Sequence, residues 1–123
     1  MSGMQFVILY VEQPRVSTEF YTQLLGRPPV EASPTFAMFP LGQGVMLGLW
    51  GRSGVQPATT VTGGGGELAF TLADDAAVDT RHAEWVRQGL PVLEAPTPRD
   101  FGYAFTGADP DGHRVRFFAP GHD

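Results

Sequence analysis

The chain has 123 residues, 42% of them hydrophobic, with a formal net charge of −5 and no cysteine. That length and apolar content suit a single domain over 1–123 with a buried core. Basic residues are scattered under a negative balance, which argues against nucleic acid or a membrane surface as partner; disulfides, thiolate nucleophiles and Cys-based zinc sites are excluded outright.

The chain opens without a basic n-region and long apolar stretch, and no apolar run approaches the roughly 18 residues of a membrane span. A soluble cytoplasmic protein is expected. The 16 Gly and 11 Pro call for many turns, and so for several short strands rather than a helical bundle.

In chain order, "QFVILYVEQ" (5–13) is an apolar run of strand length. "PRVSTEFYTQLLG" (14–26) then spaces Val16, Phe20, Leu24 and Leu25 as a helical stripe, with Pro14 at its start and Gly26 as its stop. Strands are predicted near 28–33, over "TFAMFP" (35–40) and over "GVMLGLW" (44–50). A Gly-rich linker (51–66) follows. The order then recurs: a strand in "GELAFTLAD" (66–74), a helix over 75–89 with Ala77, Val78, His82, Trp85 and Val86 inward, and strands near 91–96, 101–107 and 113–119. The pattern is βαβββ twice, with modules over 4–50 and 67–120 that are expected to share one core.

Two stretches, "STEFYTQLLG" (17–26) and "DPDGHRVRFF" (109–118), together with the doubled pattern, make the chain resemble the vicinal oxygen chelate superfamily. That superfamily holds glyoxalase I, extradiol dioxygenases, fosfomycin-resistance transferases, and bleomycin- and phenazine-binding resistance proteins. The resemblance implies an α+β fold in which two βαβββ modules form a cupped mixed sheet, and a homodimer, since such cups are commonly completed across two chains. It also implies where a divalent ion would be held, at Phe6, Gly48, Glu67 and Arg116. Neither a benzyl group nor a hydrogen can donate, and a guanidinium has no lone pair to offer; only Glu67 remains. His82 belongs to a helix, His113 to the last turn and His122 to the tail, and no two stand at ligand spacing. No metal, no other cofactor and no catalytic residue are therefore assigned.

Arg116 in the strand after "DPDGH" has two readings: an edge-strand charge facing water, or a cation inside the cup that replaces the metal charge and pairs with Glu67. The resemblance favours the second. The turn "DPDG" is structural, His113 goes with it, and Trp85 is assigned to the core or a dimer contact. Side chains alternate along strands, so one placement per strand fixes the rest. With the placements the resemblance implies, Phe6, Ile8 and Tyr10, Met46, Gly48 and Trp50, and Phe36 and Met38 face the cup in the first module. In the second the set is Glu67, Ala69 and Thr71, Arg114, Arg116 and Phe118, and Ala104 and Thr106. Leu47, Leu49, Leu68, Phe70, Val115 and Phe117 back onto the helices.

The ligand-facing residues are taken to be Phe36, Met38, Met46, Gly48, Trp50, Glu67, Thr106, Arg116 and Phe118. Gly48, Ala69 and Ala104 leave space, aromatic rings and methionines supply flat or adaptable walls, and a few polar groups orient the occupant. The alternative is that the rings fill the cup and leave no pocket. "FAMFP", "LW" before the linker, "GEL", "VD…EW" and "FGYAF…DPDGHRVR" look most like the phenazine (griseoluteate) resistance branch of the superfamily. This implies a metal-free binder that sequesters a small planar aromatic antibiotic or metabolite and so confers resistance. A glyoxalase-type lyase or isomerase with Glu67 as base stays open, as does a binder of bleomycin-like cationic drugs, for which Glu67 alone would supply an acidic lining.

Overall fold

The computed structural model describes residues 5–121. They form an α+β fold in two compact units that part at Gly63 and Gly64, within the glycine run of the linker. The first unit holds β1 (Phe6–Val11), α1 (Pro14–Leu25), β2 (Glu31–Ala32), β3 (Phe36–Gly42) and β4 (Val45–Gly51). The second repeats it with β5 (Glu67–Thr71), α2 (Asp75–Arg87), β6 (Val92–Arg99), β7 (Gly102–Ala108) and β8 (Arg114–Pro120). Strand order is β1-β4-β3-β2 in one sheet and β5-β8-β7-β6 in the other. In each, the first strand pairs in parallel with the last, and the other pairs are antiparallel. A parallel pair needs a long connection, and the helix with two strands supplies it.

Two elements differ from the sequence expectation. The strand expected over 28–33 shrinks to Glu31–Ala32, because Pro28 and Pro29 have no N–H to give a ladder. The strand near 91–96 instead runs on to Arg99 through Pro96 and Pro98. It is the outer strand of its sheet, where missing donors face no partner, and its register shifts twice between Val92 and Thr97. The linker contributes one 3-10 turn, Arg52–Gly54.

Helix α1 starts on Pro14 and stops at Gly26, whose left-handed backbone (φ 70°) lets its N–H bond the carbonyl of Thr22 at 3.0 Å. Its buried face runs through Ser17 and Tyr21, both fully buried, and not along the expected stripe. Val16 is exposed, and Phe20, Leu24 and Leu25 are only half-buried. A small residue at the point of closest approach lets the helix sit down on the sheet, and the large ring of Tyr21 one turn later fills the contact. Helix α2 is capped by Asp74, which accepts from the N–H of Ala77 at 2.8 Å. It buries Val78 and Trp85, whereas Val86, expected inward, is exposed. Val86 follows Trp85 directly, about 100° further around the helix, so burying the indole turns it outward.

Trp85 organises the second core. Its ring meets Phe105 and Phe117 edge-on, with centroids 6.0 and 5.8 Å away, while those two rings stack on each other at 5.3 Å. Its indole N–H donates to the carbonyl of Pro91 at 2.8 Å, so no buried donor is lost. Gly107 makes the approach possible, since a Cβ there would lie 2.5 Å from indole atoms. At the far end of β7, the buried Asp109 carboxylate accepts the N–H groups of Asp111 and His113 at 2.9 Å each and meets His113 Nδ1 at 2.8 Å. The "DPDGH" segment is thus a built turn that sets the start of β8.

Gly107→Ala is expected to lower stability by about 1–3 kcal/mol through overpacking against Trp85. Chemical denaturation followed by circular dichroism checks this, and a midpoint equal to wild type would contradict the close packing.

Candidate functional site

Each unit covers one face of its sheet with its own helix. In the first unit the helix-side residues Val11, Ala37, Phe39, Leu47 and Leu49 are fully buried. The opposite side chains are not: Phe6 and Ile8 are each 42% exposed, and Tyr10, Phe36, Met38, Met46 and Trp50 are half-buried. Strand register sets them in rows, Tyr10–Trp50–Phe36, Ile8–Gly48–Met38 and Phe6–Met46–Pro40. Tyr10 and Trp50 meet edge-on with centroids 6.4 Å apart. The first row carries no charge, while the second continues to Glu31 on the outer strand β2.

Gly48 does something other than leave free space. A Cβ at this position would lie 3.0 Å from Cζ of Phe36 and 3.3 Å from Cγ1 of Ile8. The Phe36 ring therefore leans over the glycine and takes the room that the sequence suggested was open. The result is an aromatic and thioether surface. At its rim Arg52, just past β4, makes a bidentate pair with Glu12, just past β1, at 2.7 and 2.8 Å. That pair ties the two strand ends carrying Tyr10 and Trp50.

The open face of the second unit is different in kind. Phe105, Gly107, Val115 and Phe117 lie on the α2 side, so Ala104, Thr106, Arg114, Arg116 and Phe118 lie opposite, joined by Glu67, Ala69 and Thr71. Glu67 stands across from Arg114 and diagonal to Arg116. The Arg116 Nε donates to Oε2 of Glu67 at 2.7 Å and Nη2 to Oε1 at 3.1 Å, a bidentate pair of the expected kind. Those hydrogen bonds, more than its charge, hold the Glu67 carboxyl below the usual carboxylate range against the opposing effect of burial; Arg114 adds a smaller pull. The same bonds raise Arg116.

Sequence reasoning missed Phe101. The strand expected from residue 101 begins instead at Gly102, so Phe101 sits in the turn before β7 and is 48% exposed. Its ring lies 5.7 Å from the Arg116 guanidinium carbon and meets Phe118 edge-on at 5.7 Å. An aromatic residue beside a glycine in a hairpin turn was the available signal. Thr106, paired with Arg116 across the ladder, is 2% exposed, and its hydroxyl has no hydrogen-bond partner among the described residues. On the far side of Thr106 stands Glu94, which is paired with Arg99.

The structure brings Phe36, Met38, Met46, Gly48 and Trp50 onto one face, and Glu67, Thr106, Arg116 and Phe118 onto another. The donor set does not fit a divalent ion. Phe6 and Gly48 offer no lone pair, and the single carboxylate, Glu67, already has both oxygens on Arg116. Among the described residues no group of three or more His, Asp or Glu gathers. His82 packs edge-on to Phe105, His113 serves the turn, and His122 lies outside the described residues.

Residues 3–117 match the family model of the glyoxalase/bleomycin resistance protein/dioxygenase superfamily. Among curated proteins the chain is similar to the phenazine antibiotic resistance protein EhpR of Enterobacter agglomerans, 29% identical over 112 residues, 89% of this chain and 85% of that protein. Among solved structures it is similar to protein ATC0852 from Agrobacterium tumefaciens, at 52% identity and a TM-score of 0.90 over 99% of this chain and 100% of that one. A glyoxalase-related enzyme from Fulvimarina pelagi shares the fold, with a TM-score of 0.84 at 22% identity over 97% of this chain and 88% of that one. With its doubled βαβββ topology and a family match over nearly its whole length, the chain belongs to the glyoxalase/bleomycin resistance protein/dioxygenase superfamily.

Proposed function

We propose that the protein binds and sequesters a small planar aromatic compound, of the phenazine class, and acts in resistance to it without transforming it. The observation that carries this is the uncharged row Tyr10–Trp50–Phe36, bordered by Met38 and Met46, on a sheet face that its own helix does not cover. Flat rings stack on such a surface, at about 0.5–1.5 kcal/mol per ring pair beyond area burial, and thioethers conform to irregular outlines. Similarity to EhpR supports the same class of ligand. On this face Phe36, Met38, Met46 and Trp50 supply the contacts, with Gly48 beneath the Phe36 ring.

The lyase reading fits less well. A carboxylate held down by two Arg116 hydrogen bonds is a weak base, the reverse of the raised pKa that proton abstraction favours. A cationic glycopeptide fits less well too, because the Tyr10–Trp50–Phe36 row carries no carboxylate and Glu67 on the second face is already neutralised. The proposal takes the protein to be a cytoplasmic homodimer; no helix among the described residues is long and apolar enough to cross a membrane. Light scattering at micromolar concentration should give twice the chain mass, and a monomer would refute the dimer alone.

Titration with a panel of planar heteroaromatics should quench tryptophan emission, chiefly that of Trp50, because Trp85 is buried in the core. Trp50→Ala should weaken binding by about 1–3 kcal/mol at a nearly unchanged melting temperature. Wild-type affinity in that variant, or no binder in the panel, would overturn the proposal.

Glu67 also makes a pH prediction. Its folded pKa is depressed, so its contribution is present above the unfolded carboxylate value and is lost as pH falls through the lower, folded one. Glu67→Gln should cost about 1 kcal/mol at neutral pH. The gap between the two melting curves should close in acid below the ordinary carboxylate range. A gap that persists there would show that the pair is not its source.

A further inference from the structure

We propose that Glu12 and Arg52 are positioning residues for the aromatic row: their pair holds the turn that brackets Trp50, and so presets the indole for a flat ligand. This rests on the aromatic-binder reading and adds what keeps its central ring in place. The ladder of β1 and β4 ends at the pairing of Val11 with Gly51. One step beyond, Arg52 donates through Nε and Nη2 to the two carboxylate oxygens of Glu12, at 2.7 and 2.8 Å. Side chains thus continue the pairing where the backbone ladder stops.

Arg52 also opens the 3-10 turn Arg52–Gly54, which lies against the N–H edge of the indole: a Cβ at Gly54 would stand 3.9 Å from Trp50 Nε1. The far end of the turn is fastened by Val55, which is 2% exposed and donates its N–H to the Arg52 carbonyl at 3.2 Å. At the near end the core side is closed. Gly51 gives its N–H to the Thr35 carbonyl at 2.8 Å, and a Cβ there would meet the Pro14 ring at 3.1 Å. On the solvent side the fastening is the Glu12–Arg52 pair. Trp50 therefore stands between the edge-on Tyr10 ring, 6.4 Å away, and a turn held at both ends.

Stability does not account for the pair. Its side chains are 54% and 31% exposed, and ion pairs in water contribute little to folding. A bidentate fork does fix direction, since both groups are planar and two bonds remove the rotation that one allows. An indole already held in its bound orientation spares the ligand the cost of ordering it. Loss of the pair should therefore lower affinity much more than stability.

Two readouts test this: calorimetric titration with phenazine, an uncharged planar probe, and the near-ultraviolet circular dichroism band that Trp50→Phe removes from the ligand-free protein. Glu12→Gln and Arg52→Gln should each weaken phenazine binding about fivefold and shrink the Trp50 band, at a nearly unchanged melting temperature. The double variant should lose no more than either single one, and the exchanged pair Glu12→Arg/Arg52→Glu should recover most of both readouts. Wild-type affinity in the single variants, or losses that add in the double variant, would overturn the positioning role and leave the aromatic binder standing. A fall in affinity matched by a fall in melting temperature, with the Trp50 band intact, would make the pair merely structural and overturn the role too. If no planar compound binds wild type, the binder reading falls, and the dichroism still decides the hold on Trp50: an intact band in Glu12→Gln overturns it, and a diminished one upholds it.

Discussion

A sheet has two faces, and each unit of this protein owns only one helix. Everything else follows from that shortage. Whatever the strands place on the helix side becomes core, and whatever they place on the other side must be tolerable without cover of its own. The period of two sets the division on β4, where Leu47 and Leu49 are fully buried while Met46 and Trp50 are not; on β7 the residues from Ala104 to Ala108 are buried on both faces. A slip of one residue in register would exchange the two sets.

The two units repeat one topology and answer this demand with different chemistry. The first leaves an aromatic and thioether surface whose Tyr10–Trp50–Phe36 row is uncharged, a poor neighbour for water and a good one for a flat apolar ring. The second pairs a guanidinium with a carboxylate, whose two charges cancel and whose bidentate geometry fixes both side chains.

Much of this was legible in the sequence because strand parity and turn chemistry are local rules. The doubled βαβββ order follows from reading alternate residues and glycine or proline punctuation, while the pairing of Arg116 with Glu67 was legible only through the resemblance. What escaped depended on packing in three dimensions. The inner face of α1 passes through Ser17, a residue type that no hydropathy pattern assigns to a core. Gly48 looked like vacant space, yet the ring of Phe36 two strand positions away covers it. Phe101 was counted into the strand expected over 101–107, on the side away from Thr106; it lies instead in the turn before β7, where alternation stops and its ring comes beside Arg116.

The outer strands bear on how these sheets meet other chains. β2 is two residues long in a segment with prolines at 28, 29 and 34, and β6 carries Pro96 and Pro98 with two breaks in register. Neither offers the unbroken row of N–H and C=O groups that a foreign strand needs in order to add on. Each sheet is therefore blunt on one side, and can be extended only beside β1 or β5. Growth in both directions, the condition for open-ended stacking into fibrils, is denied to both sheets by where the prolines fall.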